Sequence, residues 1–416
     1  MSKPRVLYLC GRSPWPRNGG ALLRNYWMID ALSKKYSVDL VTADQPQESM
    51  PESFARLVDT YRCFPRSEGS NRALTRVLDA AHPGSSTVTA GWTNAAMFDY
   101  VSELVGRSPF AAIQVDLPLA AVLPRRDAIP IVYNAHNCEA QLLRRRSSTE
   151  PLHRALLLRA DAMRVRRIER ELVHRAALIT VCSEQDLSDF ERFCPNVRSK
   201  AVIVPNGVDM KQYEALRTVR PQPHAILITG SMDWRPNLLG LRWFLREVLP
   251  IVRRLTPQAT VTVAGRMTPD VVREVQRSLH VRAVANPESM DPHLSAACVV
   301  VAPVLTSSGT RLRILEAWAA GRPVVTTSAG AFGLKYTQGI EMLVGDSPQL
   351  FAQNIERVIN EPRLSEYLAA HAAVAAATYD WSTIGSTLRT AYEPLTAPLP
   401  GRVETIRDEI VLAGRV

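Results

Sequence analysis

Short runs of apolar residues alternate with segments of helical hydrophobic spacing along most of the chain. The first strand, helix and second strand are predicted at residues 5–9, 20–35 and 37–42. Further strands are predicted at residues 111–115, 129–133 and 177–182, with helical segments between them. Because strands that alternate with helices are typical of βαβ units, we expect an α/β fold built on a doubly wound parallel sheet.

The alternation starts again after residue 224. Strands are predicted at residues 225–229, 259–264, 280–284, 299–303 and 323–327, and an amphipathic helix at residues 238–256. Between the two series, Asn206-Gly207 predicts a tight turn, and the two prolines of Thr218–His224 suit an extended linker. We expect two Rossmann-like domains that face each other across a cleft. Their predicted bounds are residues 1–205 for the first domain, completed by a helix at 383–398, 206–224 for the hinge, 225–382 for the second domain, and 399–416 for a tail.

Composition narrows the class of protein. A chain of 416 residues with 46% hydrophobic residues is long enough for two domains and too apolar for disorder. Its apolar runs are too short to span a bilayer or to form the core of a signal peptide, so we expect a cytoplasmic protein. The six cysteines form no C-x-x-C pair, which argues against a zinc or redox site, and we predict no metal.

Positive charge is concentrated in residues 141–175, where ten arginines face four acidic residues in a chain of net charge +10. A basic segment suits a polyanion, a nucleotide phosphate or an anionic membrane. We exclude nucleic acid as the partner because no binding motif accompanies the arginines and aromatic residues make up only 6%. The segment therefore predicts peripheral association with anionic lipid or capture of a lipid-phosphate-linked acceptor, with a solvated helix face as the alternative.

A glycine-containing loop follows the first predicted strand of each half. In the first half the loop ends in Gly19-Gly20 and leads into a helix, and in the second half Gly230 and Ser231 precede Arg235. Glycine lets a backbone approach a ligand closely, and a helix start offers free N–H groups to an anion. An ordinary strand-to-helix connection and a capped helix explain these patterns equally well.

Three polar residues, His136, Asn137 and Glu139, follow the predicted strand that ends at Tyr133. Functional side chains of α/β proteins lie at the carboxyl ends of strands. We therefore interpret His136 as a group that binds a hydroxyl or phosphate or transfers a proton, rather than one that only stabilises a turn.

The most informative segment joins a predicted strand to a helix. It contains Ser308, Gly309, Thr310, Arg311, Leu312, Arg313 and Glu316. Free N–H groups at the helix start, together with Arg311 and Arg313, predict a site for a diphosphate. Glu316 lies farther along the same helix, where its carboxylate is suited to accept hydrogen bonds from a ribose diol.

Several motifs in order now allow a comparison with a known family. They are Gly19-Gly20 with Arg24, His136-Asn137-x-Glu139, Val204–Asp209, Gly230–Asn237, Ser308–Glu316 and Gly321-x-Pro-Val-Val325. In these motifs the chain resembles the GT-B fold glycosyltransferases of family 4, the retaining group 1 type. It looks most similar to the branch of sugar transferases associated with exopolysaccharide and protein-sorting loci.

The resemblance implies transfer of a sugar, with retention and without a metal or other cofactor, from a UDP- or GDP-sugar. Glu316 matches the second glutamate of the family's E-x7-E element, which holds the ribose, while the first glutamate falls at Ser308. The family's two basic diphosphate ligands match Ser231 and Pro236, so arginines are expected to replace them. The resulting assignment is catalytic for His136, Ser308 and Arg235, donor-binding for Gly19, Gly20, Gly230, Ser231, Ser308, Gly309, Thr310, Arg311, Leu312, Arg313 and Glu316, and acceptor-side for Arg24, Asn137 and Glu139.

Two other functions stay open. A non-catalytic GT-B protein that binds a nucleotide sugar, or supports a partner enzyme, fits the missing first glutamate. A GT-B epimerase or phosphorylase is less favoured, because a phosphorylase needs a cofactor lysine in the second half and Lys335 is the only lysine after Lys211.

Overall fold

The computed structural model describes residues 3–17, 19–44, 49–65, 85–124, 129–148, 150–306 and 312–396. Within these ranges the strands form one parallel sheet of seven strands and one of six. The predicted α/β class and the GT-B arrangement of two Rossmann-like sheets are confirmed. Each half of the chain contributes its own sheet.

The N-terminal half builds the seven-stranded sheet. Its strands are β1 (Arg5–Cys10), β2 (Ser37–Thr42), β3 (Thr60–Cys63), β4 (Phe110–Asp116), β5 (Ile131–Asn134), β6 (Leu178–Val181) and β7 (Ala201–Ile203). They lie in the order β3-β2-β1-β4-β5-β6-β7. The α-helices are α1 (Gly20–Ser33), α2 (Glu52–Ala55), α3 (Ala95–Arg107), α4 (Glu139–Ser147), α5 (Leu152–Arg175) and α6 (Glu184–Glu191).

Side chains of β1 alternate between two apolar cores, which shows that helices cover both faces of this sheet. Val6 and Tyr8 belong to one core, and Leu7 and Leu9 to the other. Successive side chains of a strand point to opposite faces, so a strand buried on both faces is apolar throughout. This explains why β1 appears in the sequence as a continuous apolar run.

The segment between the halves is partly helical. The predicted hinge at 206–224 contains α7 (Met210–Tyr213) and a 3₁₀ helix at Glu214–Thr218. The side chain of Asp209 accepts a hydrogen bond from the Lys211 backbone N–H and caps α7. The extended backbone expected from the prolines is therefore confined to the residues after Thr218.

The C-terminal half builds the six-stranded sheet, in the order β10-β9-β8-β11-β12-β13. Its strands are β8 (Ala225–Thr229), β9 (Thr260–Gly265), β10 (Val281–Ala285), β11 (Val299–Ala302), β12 (Val324–Thr326) and β13 (Leu343–Val344). The α-helices are α8 (Arg235–Trp243), α9 (Leu249–Leu255), α10 (Pro269–Gln276), α11 (Asp291–Ala296), α12 (Leu312–Ala319), α13 (Pro348–Asn360), α14 (Pro362–Ala377) and α15 (Trp381–Thr396).

The helix predicted at residues 238–256 has different bounds in the structure. α8 begins three residues earlier, at Arg235, because Pro236 suits the first turn of a helix. Phe244–Val248 has π-helical hydrogen bonding, and α9 then starts at Leu249 with Pro250 in its first turn. Proline lacks an N–H donor, which explains why the α-helical pattern is interrupted there.

The last helix returns to the N-terminal half. α15 packs on α1 so closely that a Cβ on Gly385 would lie 2.9 Å from the Cβ of Ala31. The backbone N–H of Val208 donates to the Tyr379 carbonyl at 2.9 Å, so the two segments that join the halves lie side by side. A Cβ on Gly207 would lie 2.7 Å from that same carbonyl oxygen, which requires glycine at this position.

None of the described helices combines the length and apolarity needed to cross a bilayer. All six cysteines carry free thiols.

Candidate functional site

The two halves approach each other where α1 and α12 begin. A Cβ on Gly20 would lie 3.4 Å from the Cδ1 atom of Leu312, which is ordinary van der Waals contact. Gly19 precedes α1 in an extended conformation. The structure thus brings together Gly20 and Leu312, two residues that the sequence assigned to the donor site.

A polar cluster lies on the N-terminal side, at the carboxyl ends of β4 and β5. The Nε2 atom of His136 lies 3.1 Å from the Oδ2 atom of Asp116. Asp116 also accepts hydrogen bonds from the side-chain amides of Asn25 and Asn134, each at 2.8 Å. The carboxylate therefore orients the imidazole, and 20% of the His136 side chain is exposed.

Sequence reasoning did not identify Asp116 or Asn25 as site residues. Asp116 directly follows the strand predicted at residues 111–115, so its place at a strand's carboxyl end was the available signal. Asn25 lies inside α1, and the sequence carries no comparable signal for it.

Arg24, predicted on the acceptor side, is buried beneath this cluster with 1% of its surface exposed. Its guanidinium donates to the Asn134 side-chain oxygen at 3.0 Å and to the Val204 carbonyl at 2.6 Å. Among the described residues its Nη2 atom has no hydrogen-bond partner. Arg24 therefore connects α1 to β5 and to the start of the hinge.

Asn137 and Glu139, the other predicted acceptor-side residues, contact each other. The Asn137 amide donates to the Glu139 carboxylate at 2.8 Å. Glu169 of α5 lies behind them and accepts hydrogen bonds from the backbone N–H groups of Glu139 and Ala140, which begin α4. Burial, followed by the charge of Glu139, raises the pKa of Glu169 to about 8. Burial also raises the pKa of Glu139.

A second cluster lies on the C-terminal side, at the carboxyl end of β8. Gly230 has a φ of +132°, and a Cβ there would lie 2.9 Å from the Cζ atom of Arg313. The guanidinium of Arg313 donates to the Asn237 side-chain oxygen at 2.6 Å. Burial lowers the pKa of Arg313 to about 10, and the opposing charge of Glu316 limits this decrease. A cation thus lies directly against a glycine backbone.

Glu316 lies about one turn beyond Arg313 on α12. Burial raises the pKa of its carboxyl group, and the positive charge of Arg313 acts in the opposite direction. Within the described ranges no hydrogen bond to this carboxylate is found. Four predicted donor residues, Ser308, Gly309, Thr310 and Arg311, lie outside the described residues.

Ser231 and Arg235 occupy different environments. The backbone carbonyl of Ser231 accepts from the Asn237 amide at 2.8 Å, so Asn237 connects this loop to Arg313. Arg235, predicted to be catalytic, forms an ion pair with Glu150, with 2.6 Å between its Nε and the carboxylate. Since Glu150 belongs to the N-terminal half, this pair joins the two halves.

The two clusters provide complementary chemistry. The C-terminal cluster offers a guanidinium and a carboxylate suited to a phosphate and a diol, and the N-terminal cluster offers an imidazole oriented by a carboxylate. The described residues hold no group of three or more His, Cys, Asp or Glu side chains able to ligate a metal ion.

Two family models match the chain, one in each half. The model described as Glycosyltransferase Family 4 matches residues 18–212. The model described as Glycosyl transferases group 1 matches residues 223–361. The boundary between the matched ranges coincides with the segment between the two sheets.

Curated relatives are similar over part of their length. A D-inositol 3-phosphate glycosyltransferase of Corynebacterium urealyticum is 25% identical over 261 residues, 57% of this chain and 61% of that protein. A phosphatidyl-myo-inositol mannosyltransferase of Mycobacterium leprae is 27% identical over 205 residues, 47% of this chain and 54% of that protein. The chain thus spans between half and two thirds of the length of these relatives.

An Anabaena protein crystallised with UDP and glucose has the same fold. It is 16% identical, with 94% of this chain and 99% of that chain aligned at a TM-score of 0.65. Three findings agree with one another: the two parallel sheets, the family matches over both halves, and the fold shared with this structure. The chain belongs to the group 1 glycosyltransferases, family 4, of GT-B fold.

Proposed function

We propose that the protein is a retaining glycosyltransferase that takes a hexose from a nucleoside diphosphate donor without a metal ion. The observation that carries this proposal is the position of Arg313 against the Gly230 backbone, with Glu316 about one turn farther along α12. Arg313 would bind the diphosphate, and Glu316 would accept hydrogen bonds from the ribose.

Arginine suits this task in the absence of the family's usual basic pair. Its planar guanidinium presents a fixed fork of N–H donors to two phosphate oxygens. Asn237 holds that fork from one side, and Gly230 leaves room for it because it has no side chain. Arg311, from the adjoining segment, is proposed as a second cation, and Ser308 and Arg235 retain their proposed catalytic roles.

His136 is proposed to contact the transferred sugar or the acceptor from the opposite side of the cleft. Asp116 fixes the orientation of the imidazole, so the ring is ready to donate or accept a hydrogen bond without reorganising. Asn137 and Glu139 are proposed to form the wall on the acceptor side. In this arrangement residues 1–205 form the acceptor domain and residues 225–382 the donor domain.

UDP-glucose is the first donor to test, since the Anabaena protein was crystallised with UDP and glucose. GDP-sugars are the second choice. The acceptor is proposed to be a glycan or lipid-linked molecule in the synthesis of a surface polysaccharide, in line with the resemblance to exopolysaccharide transferases. We also propose peripheral association with anionic membranes through residues 141–175, which vesicle co-sedimentation at low and high salt would measure.

The decisive experiment combines binding and turnover of a panel of UDP- and GDP-sugars. Wild type is expected to bind one donor and to hydrolyse or transfer its sugar. Glu316→Gln should weaken donor binding and lower turnover, because a neutral amide accepts hydrogen bonds from the diol less strongly. The matched control is Glu366→Gln, which changes an exposed glutamate on α14 and should leave both unchanged.

Two outcomes separate the candidate functions. Donor binding that depends on Glu316, with no turnover in the presence of any cell extract that could contain the acceptor, would support the non-catalytic alternative. The serine in place of the first glutamate, Ser308, favours that alternative. The absence of binding to every sugar nucleotide would contradict the proposed function itself.

A further inference from the structure

A cavity of about 580 Å³ lies between α4 and α5, outside the two clusters described above. Arg144, Arg159 and Arg166 line it together with Ser147 and Met163. The cavity thus combines three guanidinium groups with a hydroxyl and an apolar side chain. It lies within the basic stretch at residues 141–175.

Among the described residues, the three arginines have no acidic partner. Within the described ranges no carboxylate lies at ion-pair distance from any of them, whereas neighbouring Arg145 and Arg154 pair with Asp189 and Glu150. The Arg159 guanidinium donates to the Ser147 hydroxyl at 3.4 Å, and the Arg166 guanidinium lies 5.4 Å from the centre of the Phe193 ring. Uncompensated positive charge around a cavity favours an anionic ligand, and guanidinium groups match phosphate oxygens in geometry.

An apolar strip adjoins these cations. Leu152, Leu156 and Met163 leave 74%, 55% and 68% of their surface exposed. Their spacing of four and seven residues places them on one face of α5, and Arg159 and Arg166 lie on that same face. An exposed apolar surface beside a cationic cavity is suited to a molecule with a phosphate at one end and a hydrocarbon chain at the other.

The cavity lies beside the cleft. α4 begins three residues after His136 and ends three residues before Glu150, the partner of Arg235. The Arg145 guanidinium lies 5.0 Å from the centre of the Phe332 ring in the C-terminal half. A ligand held between α4 and α5 would therefore lie near the acceptor wall and on the opposite half from Arg313.

We propose that this cavity binds the phosphate of an amphiphilic lipid phosphate, whose hydrocarbon chain lies along Leu152, Leu156 and Met163. Binding of the amphiphile requires no transferase activity. Its role as the acceptor for sugar transfer rests on the proposed function. The interaction is with a single lipid molecule, which distinguishes it from general adsorption to a membrane surface.

The test is calorimetric titration with decyl phosphate below its critical micelle concentration. Decyl maltoside probes binding of the hydrocarbon chain alone, and inorganic phosphate probes binding of the anion alone. Wild type is expected to bind decyl phosphate at least about tenfold more tightly than either probe, because only decyl phosphate engages both surfaces. Equal affinity for inorganic phosphate, or for decyl maltoside, would overturn the proposal.

Variants then locate the site. The double variant Arg159→Gln/Arg166→Gln should bind decyl phosphate about tenfold or more weakly than wild type does. The double variant Leu152→Ser/Leu156→Ser should lose affinity by a similar factor. The matched controls are Arg254→Gln on α9 and Leu279→Ser, whose side chain is as exposed as Leu152 at 74%. Unchanged affinity in both double variants would place the ligand elsewhere and overturn the proposal.

Titration of the same variants with the donor nucleotide separates this inference from the proposed function. Nucleotide affinity should be unchanged in the double variants, since Arg313 and Glu316 are intact. If decyl phosphate binding fails while nucleotide binding persists, only the lipid site is disproved. If the nucleotide never binds while decyl phosphate does, only the donor site is disproved.

Discussion

The polar clusters around His136 and Arg313 differ in how many of their polar groups already have hydrogen-bond partners within the protein. Asp116 receives hydrogen bonds from two asparagines and faces the His136 ring. Among the described residues, the Arg313 guanidinium donates one hydrogen bond, to Asn237, and no hydrogen bond to the Glu316 carboxylate is found. The N-terminal cluster is therefore held in place by the fold itself, whereas the C-terminal cluster keeps its charges available for a ligand.

This difference has a physical consequence for function. A buried hydrogen-bond network fixes side-chain orientation, and removing one member leaves the others unsatisfied at a cost in stability. A partly buried charge that lacks a full set of partners gains more from binding a ligand of opposite charge. Mutations of the fully buried members of the N-terminal cluster, such as Arg24, should accordingly affect folding. Mutations of the C-terminal cluster should affect ligand affinity, and mutation of the partly exposed His136 should affect turnover.

The largest expected effect is on stability. Arg24→Ala removes the donor to Asn134 and to the Val204 carbonyl and opens a cavity, so we expect the free energy of unfolding to fall by about 2–4 kcal/mol. Arg313→Ala should change it by less than about 1 kcal/mol, because the loss of one hydrogen bond is offset by relief of a desolvated charge. Urea unfolding measures both. Equal losses in the two variants would contradict the comparison.

The next effect is on donor affinity. Arg313→Ala should weaken the binding of a nucleoside diphosphate by about 1.5–3 kcal/mol, or roughly 10- to 150-fold in Kd, because a charge-assisted contact is lost. Calorimetry on the folded variant measures it. The control is Arg242→Ala, whose partner is Glu274 on α10 and which should bind as wild type does. Wild-type affinity in Arg313→Ala would show that this residue does not belong to the proposed donor site.

The third effect is a dependence of folding stability on pH that comes from the N-terminal half. Glu169, whose pKa is raised to about 8 from 4.5, holds a proton in the folded protein that the unfolded chain releases. Its stabilising contribution is complete below the unfolded pKa and is lost as the pH rises through the folded pKa, with a slope of at most about 1.4 kcal/mol per pH unit.

Glu169→Gln keeps an oxygen to accept from the α4 backbone and removes the titration. Urea midpoints at pH 5, 7 and 9 should therefore decline less with pH in this variant than in wild type. Glu366→Gln, an exposed change in the C-terminal half, should retain the wild-type slope. A slope that Glu169→Gln leaves intact would show that this group does not titrate in that range.

The smallest expected effect is on turnover alone. His136→Ala should lower kcat about tenfold, equivalent to about 1.4 kcal/mol, while the Kd of the free nucleoside diphosphate stays unchanged. Asp116→Asn should lower kcat in the same direction because it weakens the hold on the ring. The control is His371→Ala, which changes an exposed histidine on α14. Normal turnover in a folded His136→Ala protein would show that the residue is structural.

Local sequence pattern was sufficient for the overall architecture. The strands predicted at 37–42 and 225–229 coincide with β2 and β8, because a strand paired on both sides in a parallel sheet is buried and rich in apolar, β-branched residues that are visible without its neighbours. β3, β7 and β13 were not predicted. Each lies at a sheet edge and has four, three or two residues, so pairing with one neighbouring strand, rather than an apolar run, defines it.

The same division holds for the site. The sequence alone proposed His136, Arg313 and Glu316 as candidates, since His136 follows a strand and the other two lie on the helix after another strand. Only the tertiary structure revealed the hydrogen-bond and ion-pair partners of the candidate site residues. These are Asp116 beside His136, Asn25 beside Asp116, Glu169 beneath Glu139 and Glu150 on Arg235. Hydropathy period depends on adjacent residues and is local, whereas hydrogen-bond and ion-pair partners depend on strand order and helix packing between residues far apart in the chain.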